Sequence, residues 1–144
     1  MVNNCKIFLA ILFSVISLNA QAVPEKANTL IVTVSGIEKS EGILRAYLFN
    51  SEKTFLKRTL KEVSYVIESR GKVDLTFNNV SNGTYAVNVH LDINKNNKLD
   101  TNWMRIPKEP YGFSNNARGI MGPPKFEDAR IDLISDLNIS IHLN

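Results

Sequence analysis

The sequence predicts an all-β fold: an antiparallel two-sheet sandwich of about seven short strands with one long ordered loop. Three observations carry this prediction. Apolar and polar residues alternate with a period of two in several short runs, turn residues separate those runs, and only one segment carries helical spacing. Evenly punctuated strands of this kind suit two facing sheets, as in immunoglobulin-like or transthyretin-like domains.

The chain opens with Lys6, an apolar run from Ile7 to Leu18 broken only by Ser14 and Ser17, and the small-x-small pattern Ala20-Gln21-Ala22. That is the layout of a secretory signal peptide over residues 1–22, and the run is shorter than the roughly 20 apolar residues a membrane-spanning helix needs. Cleavage after Ala22 leaves one domain, 23–144, and removes Cys5, the only cysteine, so no disulfide is expected.

Residues 23–28, with Pro24, read as a lead-in. The first strand starts at Thr29, with Leu30, Val32 and Val34 on one face and Gly36 as a break. Ser40-Glu41-Gly42 turns into a second strand, Ile43 to Phe49, where Leu44, Ala46 and Leu48 oppose Arg45 and Tyr47. Phe55, Leu56 and Leu60 are spaced for a short helix with Ser51 as its cap. Val63 to Ile67 and Val73 to Phe77 form strands around Ser69-Arg70-Gly71. Ser81-Asn82-Gly83 launches the strongest strand, with Tyr85, Val87, Val89 and Leu91 on one face and Ala86, Asn88 and His90 on the other. Ala129 to Leu133 and Leu137 to Leu143 complete the set.

The formal net charge of +3 becomes +2 when Lys6, the one charged residue of 1–22, is removed. The cations are scattered and lack the basic stripe and stacking aromatics of nucleic-acid binders, so no nucleic-acid partner is expected. No second apolar span follows, so no membrane span is expected after signal cleavage.

Chemistry concentrates in Asp92-Ile93-Asn94-Lys95-Asn96-Asn97-Lys98-Leu99-Asp100. Calcium takes six to eight oxygens, and a tight loop delivers them from alternate residues. Here these are Asp92, Asn94, Asn96, the Lys98 carbonyl and Asp100, with Asn97 at the position that needs a left-handed backbone. The twelfth position of an EF-hand, a glutamate, is Trp103 here, so completion falls to water or a distant group, Glu109 first and Asn102 second. All-oxygen donors favour Ca2+ over zinc or copper. Asp and Asn also close turns without metal, but turn chemistry does not account for the two-residue spacing.

Between Leu91 and Ala129 no segment is periodic, yet the stretch holds the only tryptophan and four of the five prolines. Trp103, Arg105, Tyr111, Phe113, Asn115, Asn116 and Arg118 are candidate contacts for a sugar or peptide. The competing expectation buries at least two of Trp103, Tyr111 and Phe113 as anchors of the loop.

The run from Asn79 to Asp128 carries Gly83-Thr84-Tyr85-Ala86-Val87, the ladder, Ile106-Pro107-Lys108-Glu109-Pro110-Tyr111-Gly112-Phe113-Ser114-Asn115-Asn116-Ala117-Arg118-Gly119, Gly122-Pro123-Pro124 and Phe126-Glu127-Asp128-Ala129. On these residues the chain resembles the exported bacterial domain of unknown function DUF2141. The resemblance implies a small β-rich domain in the periplasm, or secreted to the cell surface, of a Gram-negative bacterium. It also implies a histidine just before the first ladder aspartate. Leu91 stands there instead and His90 lies one place earlier, which argues against a catalytic role for it.

A non-enzymatic binding or scaffold module of the envelope therefore leads, with an envelope glycan or protein as the class of partner. A hydrolase of an envelope polymer is the alternative, with only His90, His142, Ser114 and scattered acids to draw on and no nucleophile elbow or metal-hydrolase motif; both histidines lie on polar strand faces and read as exposed. An accessory subunit pairing through a strand edge is the third reading.

Overall fold

A computed structural model describes residues 27–144. The expected signal peptide and Cys5 lie outside the described residues, as does most of the lead-in. No described helix is long and apolar enough to cross a membrane.

Two sheets pack face to face. The first takes β1 (Asn28–Ile37), β4 (Gly71–Val80) and β8 (Leu137–His142) in the order β4-β1-β8. The second runs β3 (Lys61–Val66), β2 (Ile43–Phe49), β5 (Gly83–Asp92), β6 (Tyr111–Phe113). One edge of β5 pairs along its length with β2. Its other edge is shared, Asn88 to His90 pairing with β6 and Gly83 to Ala86 with β7 (Arg130–Leu133).

Among the described residues there are eight strands rather than seven. The extra one is β6, inside the stretch expected to be a loop, which also holds a 3-10 turn at Ser114–Asn116 and a one-turn helix, α1, at Phe126–Ala129. The pairing is antiparallel except between β1 and β8, which run parallel.

The alternation in the sequence places the core as expected. Leu30, Val32 and Val34 of β1, Leu44, Ala46 and Leu48 of β2, and Val87, Val89 and Leu91 of β5 meet between the sheets with no exposed surface. Burying each of these leucine and valine side chains contributes roughly 1.5–3 kcal/mol. Gly36 bends β1 rather than ending it. Its φ of 82° accompanies a register shift between Val34 and Ile37, and a Cβ there would lie 2.8 Å from the Leu143 carbonyl.

Two expectations fail locally. Residues 50–60 form hydrogen-bonded turns instead of a helix. The Phe55 N–H donates to the Ser51 carbonyl at 3.0 Å, but Leu56 takes φ 57°, which a helix cannot continue through. Asn28 belongs to β1 rather than the lead-in, buried with its amide donating to the Asn82 side chain at 2.7 Å.

The feature that positions the site is the second face of β5. A strand covered on one side alternates between buried and exposed, but Tyr85 to Asp92 are all buried. The chain after β5 folds back over this outer face, and Phe49, Phe55, Ala86, Phe113 and Ala129 form a second apolar cluster there.

A candidate metal loop on the covered face of β5

Asp92 is the last residue of β5 and faces outward, under the returning chain, with no exposed surface. Its Oδ1 accepts the Asn96 N–H at 3.0 Å, and its Oδ2 accepts the Asn97 N–H at 2.9 Å and Arg45 Nε at 3.2 Å. Burial, the largest influence, pushes the carboxyl up. These three donors together outweigh it and hold Asp92 below the usual aspartate value. Arg45 also binds Glu62 at 3.1 Å and the Asn97 side-chain oxygen. Burial works to lower the guanidinium's pKa, but its bonds to Asp92 and Glu62 raise it overall.

The ladder then folds on itself. The Asn94 side-chain oxygen accepts the Asn96 N–H at 3.1 Å, and the Asn96 oxygen accepts the Lys98 N–H at 2.9 Å. These are successive Asx turns two residues apart. Between them Lys95 and Asn97 take φ of 62° and 65°; the second is the left-handed position expected from the sequence. The turns bring the side chains together. Asn94 Nδ2 donates to Asp100 Oδ2 at 2.6 Å, and Asn96 Nδ2 lies 3.0 and 3.1 Å from the two Asp100 oxygens.

Glu109, 7% exposed, closes the base: its Oε1 accepts the Ile93 N–H at 2.9 Å and its Oε2 the Asp100 N–H at 3.1 Å. One side chain therefore pins both ends of the loop. Asn102 lies outside this centre, with its oxygen accepting the Met104 and Ile106 N–H groups, both at 2.9 Å.

Whether an oxygen-seeking cation fits can be judged from the donors. Each amide oxygen has one backbone hydrogen bond and retains a second lone pair, Asp92 Oδ1 likewise, and Asp100 meets only side-chain amides. Among the described residues no three His, Cys, Asp or Glu side chains gather as a metal-holding group. A cation here would therefore depend on amide and carbonyl oxygens, which suits calcium and not zinc.

Beside the loop, the polar residues of β5 are buried too. Asn88 donates to the Gly112 carbonyl at 3.1 Å. His90 stacks on Tyr47, ring centroids 5.5 Å apart, is 3% exposed, and its Nε2 has no hydrogen-bond partner among the described residues. Burial lowers its pKa and raises that of Tyr47. His90 is thus not the exposed histidine that its polar strand face suggested. His142 is exposed, 3.1 Å from the Ser35 hydroxyl. Ser114 is fully buried, with its hydroxyl donating to the Ala129 carbonyl and accepting the Val87 N–H at 2.9 Å.

The surface candidates divide. Phe113 is buried and Tyr111 half-buried, their rings edge to face at 6.0 Å, whereas Trp103 is 89% exposed. Asn115 and Asn116 hold the loop in place: Asn115 donates to the Arg130 carbonyl at 2.8 Å, and the Asn116 oxygen accepts the His142 N–H at 2.8 Å. Arg118 donates to the Asn144 side chain and lines, with Tyr111 and Phe113, a recess of about 110 Å³. Arg105 is exposed, at φ 61°. Arg45 and Tyr47 were missed from the sequence; the one available signal was a charge and a ring on the outer face of β2.

A family model described as an uncharacterized protein conserved in bacteria, DUF2141, matches residues 32–142. No match was found among curated proteins or among solved structures.

Proposed function

The chain belongs to the DUF2141 family of uncharacterised bacterial proteins, and from that premise we propose that it is an exported, non-enzymatic binding or scaffold domain of the cell envelope whose 92–100 loop holds one calcium ion. The supporting observation is the pair of Asx turns, two residues apart, that gathers Asn94, Asn96 and Asp100 at one point; the amide nitrogens face Asp100 in this structure, and an ion would take their place between the side chains. Asp92 Oδ1, the Asn94 and Asn96 oxygens, the Lys98 carbonyl and Asp100 would be the protein ligands. Glu109 braces the loop with an N–H on each oxygen, and each of those oxygens keeps a lone pair with which to complete the shell. The ion would neutralise Asp100 and cross-link the two ends of the ladder. The export step rests on the 1–22 segment.

The site's hydroxyl and imidazole groups favour binding over hydrolysis. The Ser114 hydroxyl is bonded to backbone inside the fold, and His90 is packed under Tyr47.

A ladder with only two formally charged ligands points to dissociation constants of about 10⁻⁴–10⁻³ M, the range of extracellular modules. At 10 mM calcium that corresponds to roughly 1.4–2.7 kcal/mol of stabilisation by mass action. Thermal melts with 10 mM calcium and with chelator should therefore differ by several degrees for the wild type and not for Asp100→Ala. Coincident wild-type curves would refute the calcium site.

A further inference from the structure

Beyond the ladder, residues 101–107 form an arm with no place in the calcium reading. Thr101 bridges to Pro107, the Asn102 N–H donates to the Ile106 carbonyl at 2.9 Å, and the Arg105 N–H donates to the Asn102 carbonyl at 2.9 Å. The Asn102 side chain adds its two bonds to the Met104 and Ile106 N–H groups. The arm is thus fixed by its own backbone and one asparagine, yet what it fixes faces solvent. Trp103 is 89% exposed, Met104 54% and Ile106 52%. A tightly bonded tip that displays adjacent large apolar side chains marks a contact surface.

Charge says what it contacts. Lys95, Lys98, Arg105 and Lys108 are exposed, and the only acid between Ile93 and Lys108 is Asp100, which is half-buried and capped by Asn94 and Asn96. Asp92 and Glu109 are buried beneath. The stretch 93–108 thus sets three exposed apolar side chains among four exposed cations that are near neighbours in sequence. A tryptophan with methionine and isoleucine on a hydrogen-bonded arm suits insertion among lipid tails, with the indole at the headgroup level. Met104 and Ile106 have no groups with which to bond a glycan.

We propose that the 101–107 arm is an interfacial anchor that seats this domain on an anionic phospholipid bilayer. Because Asn102 and not the ladder fixes the arm, this reading stands or falls apart from calcium.

Trp103 is the only tryptophan, so its emission reports the arm alone, whatever the rest of the full-length chain does with lipid. Titration with vesicles of phosphatidylglycerol and phosphatidylcholine, in chelator, should move that emission to the blue, and 0.5 M salt should reverse it. Vesicles of phosphatidylcholine alone should not shift it. Two variants keep the reporter: Met104→Ser/Ile106→Ser should weaken the transition at least tenfold, and Lys95→Ala/Lys108→Ala roughly fivefold for each cation removed. All four residues are exposed, and melts matching the wild type would show that the variants fold. Emission unmoved by anionic vesicles at millimolar lipid, or both variants titrating like the wild type, would overturn the proposal.

Discussion

At the scale of single residues, the arrangement turns on Arg45 and Asp92. They sit 47 positions apart in the sequence and are joined only because β2 and β5 pair, so their bond was not legible, although Asp92 itself was marked by its spacing. The same pairing explains His90: its polar face read as exposed because nothing local signals that a later segment covers it. Arg45→Met would leave the Asp92 carboxylate buried with only two backbone donors. Breaking one partner of a buried pair costs roughly 3–5 kcal/mol, and the remaining N–H groups keep the expected loss near the lower figure. The acid response should shift as well. In the wild type Asp92 titrates below its ordinary value of 3.8, so its contribution is intact above that pH and is lost as pH falls through the lower, folded value. Without Arg45, burial, which raises the pKa, meets less opposition, so the gap between folded and unfolded values narrows and the variant should lose less stability than the wild type as pH falls. Urea melts from pH 7 down to pH 3 measure both effects; parallel curves with equal midpoints would deny that the pair matters.

At the scale of elements, long alternating strands were readable and short ones were not. β1, β2 and β8 follow their period-two patterns because each buries one face in the main core, where alternation reports burial directly, and β5 does so on its inner face alone. β6 is Tyr111-Gly112-Phe113, too short to show any period, and its glycine reads as a loop residue. In the folded chain that glycine is where β6 crosses the end of β8. A Cβ on Gly112 would lie 2.6 Å from Ile141 Cγ2 and 2.8 Å from the His142 carbonyl. The backbone carbonyl cannot move aside without disturbing the Asn144–Tyr111 hydrogen bonds that tie the two segments. Gly112→Ala should therefore lift β6 and cost about 1–3 kcal/mol as an overpacked site. Chemical denaturation would show it, and a variant as stable as wild type would mean that β6 is not held against β8. The failed helix at 50–60 teaches the complementary point. Apolar spacing there describes Phe55 packing on Phe49 and Phe113, contacts that one turn satisfies without a helix.

At the scale of the whole molecule, the chain after β5 does two separable things. One part, from Tyr111 to Ala129, supplies Phe113, Phe126 and Ala129 to the cover over the outer face of β5 and is structural. The other, from Thr101 to Pro107, leaves its large side chains in water and touches no apolar cluster. The sequence marked both as one loop because prolines and aromatics occur throughout it, and the expectation of buried anchors held for Phe113 and failed for Trp103. A deletion distinguishes the two parts. The Lys108 N–H already donates to the Asp100 carbonyl at 2.8 Å, so these residues stand as neighbours across the base of the arm. Replacing 101–107 with Asn-Gly, which favours a two-residue hairpin turn, should close that gap without strain. With no buried group removed, the midpoint of denaturation should stay within about 0.5 kcal/mol of wild type. Phe113→Ala, by contrast, empties a buried aromatic site and should cost roughly 3–5 kcal/mol. If the arm deletion proved as damaging as Phe113→Ala, the arm would be part of the fold. If it is silent, the exposed Trp103, Met104 and Ile106 contribute nothing to stability, and a contact made outside the domain is what remains to account for them.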